Sequence, residues 1–403
     1  MAHIKPFCAV RPNHSIAMEF CSKTVALYEK NELETTLKNQ PNSFLQIIKS
    51  NIKSPKKTAS KERYTKVKKQ YHKFINEGLL IKDDQEGFYV LEININHQTF
   101  TGIVAAASVE DYKKGYIRKH EDTIESKETI FKNYLKSTRF NTEPVLLTYK
   151  NQTSISDVVH NIKKQPATIN LEISDLETQK LWHVTNKKEI EIIREGFENI
   201  DALYIADGHH RSASSALLSE DEPNAKEAQF FMAFLIPEDG LIIQEYNRVV
   251  TDLNGLSTGG FLKKIEENFK IEQLKSFESS KNLEGFCMYL DGQFYSLSLQ
   301  KGFEKPHSPL HELDAYILQE KILKPILGIK NVRTDERLVY THIRDQMQWI
   351  KKHIDNGTYA IGFGLNLVQI HQLKAIADAQ LVMPPKSTYI YPKLRSGMTI
   401  YEF

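Results

Sequence analysis

The segment YIADGHHRSASSALL, residues 204–218, places an acid, a glycine, two histidines and an arginine in an unbroken row. Gly208 permits a tight turn after a strand, and the amides and dipole of a following helix attract an anion. Arg211 adds a guanidinium that can form bidentate hydrogen bonds with phosphate oxygens, and the histidines add further hydrogen-bond donors. The row therefore predicts a phosphate-binding loop formed by Gly208, His209, His210 and Arg211.

Asp207 is the exception in this row, because a carboxylate repels phosphate. It could orient a histidine, hold Mg²⁺ or act as the base that takes a proton from a hydroxyl. Two alternatives stay open: Asp207 as a helix cap, and a metal ion held by Asp207, one histidine and a distant ligand. His209 and His210 together are poor metal ligands, since adjacent side chains point apart. We predict catalytic roles for Asp207, His209 and His210.

A second segment, YIRKHEDTIESKE at residues 116–128, concentrates charged side chains just before a predicted helix. Arg118 and Lys119 could neutralise a phosphoryl group during transfer. Glu121 could be the base or hold Mg²⁺. The alternative is a solvated loop with internal ion pairs. We predict a catalytic role for Glu121 and substrate-binding roles for Arg118 and His120.

Two further segments combine cations with hydroxyl or amide groups. MPPKSTYIYPKLRSG at residues 383–397 is stiffened by prolines, so it loses less entropy when it binds an anion. YNRVVTDLNGLS at residues 246–257 follows an apolar strand, and strand ends often carry ligand groups. The alternatives are a packing loop for the first segment and an ion pair between Arg248 and Asp252 for the second. The substrate-binding residues predicted here are Asn247, Arg248, Lys386, Ser387, Lys393 and Arg395.

The apolar pattern predicts the scaffold that must position these segments. Residues 199–220 read as strand, tight loop and helix, and turns near Asn96 and at Asp291-Gly292 predict two hairpins. A strand is expected after Pro41. Strands and helices do not alternate strictly, so the predicted fold class is α+β, with a mixed β-sheet core and flanking helices. The predicted divisions are an N-terminal α/β region, a central phosphate-binding region and a C-terminal α/β region that closes the site, at residues 1–110, 111–260 and 261–403.

Composition and charge argue against several classes of function. The net charge is +2 on 53 basic and 51 acidic residues, so the basic excess typical of nucleic-acid-binding proteins is missing. A local basic cluster at residues 53–73 is interpreted as a solvated helix face with its lead-in loop. Three scattered cysteines favour neither a disulfide framework nor a zinc ribbon. Without a signal pattern or a long apolar run, the sequence predicts a cytoplasmic protein with no membrane contact.

Two resemblances extend these inferences. DGHHR at the start of a helix resembles the phosphate-binding motif of the ParB and sulfiredoxin superfamily, which includes nucleotide-dependent free-serine kinases. Most of the chain resembles the DUF1015 family, through the segments PNSFLQI, RKHEDT, EPVLLTY, LYIADGHHRSAS, YNRVVTDLNGLS, ILQEKILKPILGI, RTDERL and MPPKSTYIYPKLRSG. These resemblances imply nucleotide phosphates at the Gly-His-Arg portion and serine or phosphoserine as substrate. Residues 14–30 depart from the usual family pattern, so they receive no site role.

The leading hypothesis is a phosphoryl-transfer enzyme that acts on a small hydroxylated metabolite, as a nucleotide-dependent serine or phosphoserine kinase would, with ADP or ATP and Mg²⁺ as cofactors. A phosphoserine phosphatase is the first alternative, because it needs the same phosphate cradle with water in place of the nucleotide. A ParB-like nucleotide-binding switch without turnover is the second, and the near-neutral charge argues against one that engages DNA. The expected partner is a small phosphorylated molecule rather than nucleic acid or a membrane.

Overall fold

A computed structural model of the chain describes residues 2–53, 60–244, 246–276, 285–300, 308–342 and 346–403. Part of the basic cluster, residues 54–59, lies outside the described residues. Contacts between α-carbons divide the chain into two compact units. Unit 1 comprises Met1–Arg118, Thr123–Leu241 and Pro392–Phe403, and unit 2 comprises Lys119–Asp122 and Ile242–Tyr391. The three regions expected from the sequence stay a prediction beside these two units.

The described residues form helices and strands in an irregular order. The α-helices are α1 (Ala17–Phe20), α2 (Lys30–Asn39), α3 (Phe44–Lys53), α4 (Ser60–Asn76), α5 (Val109–Lys114), α6 (Glu125–Thr138), α7 (Thr153–Ile162), α8 (Lys187–Glu198), α9 (His209–Asp221), α10 (Thr258–Ile265), α11 (Asp314–Leu318), α12 (Gln346–Asp355) and α13 (Ile370–Asp378). The strands are β1 (Ile4–Lys5), β2 (Val10–Pro12), β3 (Leu80–Lys82), β4 (Phe88–Ile95), β5 (Gln98–Ser108), β6 (Ile117–Arg118), β7 (Phe140–Asn141), β8 (Val145–Tyr149), β9 (Ile169–Ser174), β10 (Glu177–Val184), β11 (Leu203–Asp207), β12 (Phe230–Pro237), β13 (Ile242–Gln244), β14 (Asn247–Val250), β15 (Phe269–Leu274), β16 (Phe286–Leu290), β17 (Gln293–Leu299), β18 (Leu338–Thr341), β19 (Ile361–Gly364), β20 (Tyr389–Tyr391) and β21 (Tyr401–Glu402).

A mixed sheet forms the centre of unit 1, which confirms the predicted fold class. Its strand order is β6-β11-β8-β12-β5-β4-β10-β9, and β1 also pairs with β5. The β11–β6 and β12–β8 pairs are parallel and the other pairs are antiparallel. The apolar run of β12 lies in the middle of the sheet, where its residues from Phe231 to Ile236 are buried. Residues of β5, β8 and β12 share one buried cluster with Ile155 of α7 and Ile193 of α8.

Both predicted hairpins are confirmed. In unit 1, β4 and β5 pair from Ile95 and Gln98 outward. Asn96 and His97 between them have φ values of 50° and 64°, as a two-residue hairpin turn requires. In unit 2, the turn that joins β16 to β17 is formed by Asp291 and Gly292, with φ values of 48° and 78°.

The strand predicted after Pro41 is wrong, because residues 44–53 form helix α3. Phe44, Leu45 and Ile47 are buried there, which is the spacing of one helix face. A short apolar run fits a buried strand and a buried helix face equally well, so tertiary packing decides between them. Here α3 packs against α4.

The last residues of the chain complete unit 1. Arg395 donates from Nε and Nη2 to the two carboxylate oxygens of Glu177, both at 2.8 Å, and from Nη1 to the Cys21 carbonyl at 3.2 Å. Strand β21 pairs with β7, and Ile400 pairs with Val10 through backbone hydrogen bonds. These contacts hold the segment that carries Lys393 in a fixed place within the unit.

Unit 2 has an antiparallel sheet of its own, with strand order β15-β17-β16-β19-β14-β18. Met288 and Tyr289 are neighbours on β16 but belong to different buried clusters, one with Phe261 of α10 and one with Ile350 of α12. Both faces of this sheet are therefore covered by helices. Strands β13 and β20 form a separate pair.

Among the described residues, no helix combines the length and the apolar character needed to cross a membrane.

We expect Glu177→Gln to lower the thermal unfolding midpoint at neutral pH by a few degrees. A hydrogen bond to a charged group contributes about 1.5–3 kcal/mol, and Arg395 loses that partner. Burial raises the pKa of Glu177, but the hydrogen bond and charge of Arg395 together with further donors outweigh burial, and the net pKa lies below its ordinary value of 4.5. A carboxyl with a lowered pKa stabilises the fold while it is ionised, so the difference from wild type should shrink as the pH falls through that pKa.

Calorimetry of both proteins, from neutral pH down through the acidic range, measures this difference. The matched control is Glu191→Gln, whose ion pair with Arg194 is about half exposed on each side. Exposed pairs contribute about 0–1 kcal/mol, so the control should leave the midpoint nearly unchanged. If the unfolding midpoint of Glu177→Gln stayed below that of wild type by the same amount down to the most acidic pH, the stabilisation would not come from the ionised Glu177 carboxylate.

Candidate functional site

The DGHHR row lies in unit 1 where β11 ends and α9 begins, as the sequence predicts. Gly208 joins the two elements with φ 102° and ψ 26°, a left-handed conformation that favours glycine. Its carbonyl accepts hydrogen bonds from the amides of Arg211, at 2.8 Å, and Ser212, at 3.1 Å. Because Gly208 has no side chain, no side-chain cap covers this helix end. The positive end of the helix dipole therefore faces the loop.

Arg211 connects the loop to the neighbouring strand β8. Its Nη2 donates to Asp207 Oδ2 at 2.9 Å, and its Nη1 donates to the Pro144 carbonyl at 2.8 Å. Glu143 Oε2 lies 3.8 Å from the same Nη1. The guanidinium thus lies between two carboxylates, with one in direct contact.

A second cation reaches the loop from the C-terminal segment. Lys393 Nζ lies 3.6 Å from Asp207 Oδ1, and the Ser396 hydroxyl donates to Glu143 Oε1 at 2.6 Å. Lys393, one of the predicted substrate-binding residues, thus contacts the carboxylate of the loop. Two cations and two carboxylates form this group, so its formal charge is zero.

The other predicted residues of unit 1 have different surroundings. His209 is buried and His210 is half-buried in the first turn of α9. Arg118 ends β6 beside β11, opposite Tyr204, and its guanidinium lies 5.9 Å from the centre of that ring. Arg395 is engaged with Glu177, where it holds the C-terminal segment.

A cavity of about 440 Å³ extends from Arg211 into unit 1. We call it the Arg211 cavity. It has aromatic and aliphatic walls, contributed by α3, α4, α6, α9, β12 and the segment around β7. Its lining residues are Phe44, Ile48, Asn51, Arg63, Tyr64, Ile130, Phe131, Tyr134, Leu135, Phe140, Asn141, Thr142, Glu143, Val145, Arg211, Ser215, Phe231 and Met232.

Unit 2 brings together the predicted residues that surround Arg248. This side chain is buried, and its guanidinium donates to the carbonyls of Tyr246, at 2.6 Å, and Lys386, at 3.2 Å. Burial lowers the pKa of Arg248 to about 10, and nearby tyrosines and Asp314 oppose that shift. Lys386 Nζ lies 5.5 Å from the centre of the Tyr246 ring. Arg248 therefore holds two backbone segments together.

The remaining predicted residues of unit 2 also make contacts within it. Asn247 Oδ1 accepts from the Leu365 amide at 2.9 Å, and the Ser387 hydroxyl donates to the Pro384 carbonyl at 2.7 Å. His120 is buried, with its carbonyl accepting from the Met383 amide at 2.9 Å, and Glu121 is half-buried. A polar cavity of about 340 Å³ in this unit is lined by Tyr246, Glu312, Leu313, Asp314, Ala315, Leu365, Asn366, Leu367, Val368, Gln369, Gln372 and Ser387.

Metal binding by the protein alone has little support in the site. Within the described ranges, no three His, Cys, Asp or Glu side chains come close enough together to hold a metal ion. Mg²⁺ bound with a nucleotide needs fewer protein ligands, because phosphate oxygens and water supply the rest. Asp207 is the carboxylate of the loop that could contribute one ligand.

Two site residues were missed from the sequence. Glu143 lies at the loop and Thr142 lines its cavity, yet both belong to a segment without a chemical motif. Ser396, by contrast, belongs to the segment 383–397 that the sequence predicts to bind an anion. EPVLLTY, which starts at Glu143, carries a family resemblance but no cluster of reactive side chains. Its position just before an apolar strand was the available signal, because strand ends often carry ligand groups.

Comparison with known proteins identifies a family. A family model described as "Protein of unknown function (DUF1015)" matches residues 4–316. No curated protein matches the chain.

Three solved structures are similar to this chain at low identity. A free serine kinase in complex with AMP is 10% identical, with a TM-score of 0.38, covering 77% of this chain and 93% of that one. SbnI with a C-terminal truncation, from Staphylococcus aureus, is 11% identical, with a TM-score of 0.39, covering 73% and 87%. A conserved hypothetical protein from Pyrococcus furiosus is 11% identical, with a TM-score of 0.35, covering 73% and 91%. At these scores the likeness carries no argument about activity.

We expect Gly208→Ala to lower the thermal unfolding midpoint by more than an ordinary left-handed glycine replacement does. A residue with a side chain at φ 102° is strained by about 1–3 kcal/mol. An added Cβ would also lie 2.8 Å from Arg211 Nε, so the guanidinium would have to move.

The matched control is Gly115→Ala, at φ 78° with no heavy atom within 4 Å of its added Cβ. It carries backbone strain without the Arg211 contact. Calorimetry of the two variants measures the difference. Equal losses would show that Arg211 accommodates the methyl group without cost.

Proposed function

Because this chain belongs to the DUF1015 family, whose description names no activity, we propose its function from the site itself. The Asp207–Arg211 loop binds the phosphates of a nucleotide, and the protein transfers a phosphoryl group between that nucleotide and a small hydroxylated metabolite. Serine or phosphoserine is the proposed metabolite class, on the family resemblance alone. The proposal is a function for unit 1, whose described residues include the whole loop.

The observation that carries the proposal is the convergence of two cations on one carboxylate at an uncapped helix start. Arg211 and Lys393 contact opposite oxygens of Asp207. Gly208 lets the backbone turn tightly there and places no side chain over the first turn of α9. A phosphate at this place would meet the helix dipole, a guanidinium and an ammonium group. Such fixed charges stabilise a phosphoryl group during transfer.

Asp207 has a chemical role in the proposed reaction. The hydroxyl oxygen of the metabolite attacks phosphorus, a new O–P bond forms, and the P–O bond to the nucleotide breaks with its electron pair on the leaving oxygen. The hydroxyl proton passes to Asp207. Arg211 and Lys393 keep that carboxylate in place and offer N–H donors to the phosphoryl oxygens, and His209 or His210 supplies a further donor.

Mg²⁺ fits this arrangement as an ion shared with the nucleotide. The charges of the four groups that meet at the loop sum to zero, and these groups are Asp207, Glu143, Arg211 and Lys393. A bound phosphate would therefore bring an excess of negative charge. Asp207 is the residue that would hold the ion. When bound, Mg²⁺ would supply positive charge at the phosphate oxygens.

Phosphorus NMR tests the proposal. Purified protein with Mg²⁺ and phosphoserine is incubated with and without ADP, and we expect the phosphoserine signal to decrease only with ADP. Arg211→Ala and Asp207→Asn should each slow this loss by roughly a hundredfold or more, since each removes a charge from the transfer site. Arg194→Ala, on the exposed face of α8, is the matched arginine control and should keep the wild-type rate.

The other outcomes decide between the alternatives. Release of free phosphate without nucleotide would show a phosphatase. Nucleotide binding without any change in phosphoserine would remove that substrate class and favour a binding switch. A wild-type protein that binds no nucleotide would overturn the proposal.

A further inference from the structure

The Arg211 cavity shares a wall with the proposed phosphate site. Arg211 and Glu143 lie at the loop and also line the cavity. A ligand whose phosphate contacts the first turn of α9 therefore has an adjoining space for its remaining part. The volume of about 440 Å³ lies within the range of about 300–1,000 Å³ that small-molecule sites occupy.

Aromatic rings form one side of this cavity. Tyr134 of α6 contacts three of them: Tyr64 edge to face at 5.3 Å, Phe131 nearly parallel at 5.7 Å, and Phe140 edge to face at 6.5 Å, all measured between ring centres. Burial, followed by the charges of Glu143 and Tyr64, raises the pKa of Tyr134, so its phenol stays protonated. Such a wall suits a flat aromatic ligand, because faces and edges are both presented.

Polar groups are also present among the apolar residues that line the cavity. The Asn51 side-chain amide and the Thr142 hydroxyl lie among the lining residues, and both side chains are half-buried. An alkyl chain in the cavity would cover both groups and offer them no hydrogen bond. A heterocycle with ring nitrogens, carbonyls or amino groups could pair with them, and so could the hydroxyls of a sugar.

The mouth of the cavity exposes large apolar side chains. Ile130 is 58% exposed and Phe131 is 36% exposed, both on α6 and both lining residues. A bound ring would cover these surfaces and gain from their removal from water.

We infer that the Arg211 cavity binds the base and ribose of the nucleotide whose phosphates contact the Asp207–Arg211 loop. This inference rests on the proposed function and adds to it the place of the nucleoside. Arg211 forms the boundary between the two parts of the ligand. The base lies among Tyr64, Phe131 and Tyr134, and its polar edge faces Asn51 or Thr142.

Calorimetric titration with ligands that do or do not carry a base measures the contributions of the base and the phosphates to binding separately. ADP, GDP, CDP and UDP are screened on the wild-type protein, and the diphosphate that binds best is compared with inorganic pyrophosphate, which has no base. Ile48→Trp fills the cavity from α3, and Phe131→Ala removes a ring that is already partly exposed. Ile192→Trp, at a 39% exposed isoleucine of α8 outside the cavity, is the matched control.

We expect Ile48→Trp and Phe131→Ala each to lower the affinity for the nucleoside diphosphate by roughly tenfold or more. Loss of base stacking lowers affinity by a similar factor in other nucleotide-binding proteins. Pyrophosphate should bind these two variants as it binds wild type, which also shows that they are folded. Arg211→Ala should lower the affinity for both ligands, and Ile192→Trp should change neither affinity.

Three results would overturn the inference. If the cavity variants bind the diphosphate as wild type does while Arg211→Ala weakens it, the base lies elsewhere and the proposed function stands. If the cavity variants lower the affinity for pyrophosphate as much as the affinity for the nucleoside diphosphate, the cavity does not recognise the base. If wild type binds neither ligand, the proposed function fails together with the inference.

Discussion

The guanidinium of Arg211 is the contact on which the candidate site depends. It joins the carboxylate at the end of β11, the carbonyl before β8 and the wall of the cavity behind them. Gly208 makes this geometry possible, because any side chain there would meet Arg211. The first turn of α9 is therefore fixed relative to two strands of the sheet. Groups held in this way need little reorganisation when charge develops on a ligand.

The local part of the site could be predicted from the sequence. A strand, a glycine and a helix start lie within a few residues at 203–211, and backbone preferences act over such distances. Both hairpins were predictable for the same reason, since turn residues determine the register of the flanking strands. The run that begins at Phe44 shows the limit of local patterns. Its apolar residues suit a strand or a helix, and packing against α4 selects the helix.

The non-local contacts of the site could not be predicted, although Lys393 itself was predicted to bind substrate. Glu143 and Lys393 approach the loop from distant positions, and neither lies in a pattern that names its partner. The predicted residues are also divided between the two units. Arg118, Lys393 and Arg395 belong to unit 1, whereas His120, Glu121, Asn247, Arg248, Lys386 and Ser387 belong to unit 2. Charge density alone gave both groups the same interpretation, although Arg248 holds backbone carbonyls and Lys393 contacts Asp207.

The return of the chain to unit 1 at Pro392 has a consequence for biogenesis. Residues 392–403 leave the ribosome after all of unit 2 has been synthesised, so unit 2 can fold during translation while unit 1 still lacks this segment. Contacts such as Tyr71 with Glu402 join positions 331 residues apart, and closure over such separations is slow. Until that closure, Asp207 lacks its contact with Lys393 and keeps Arg211 as a cationic partner.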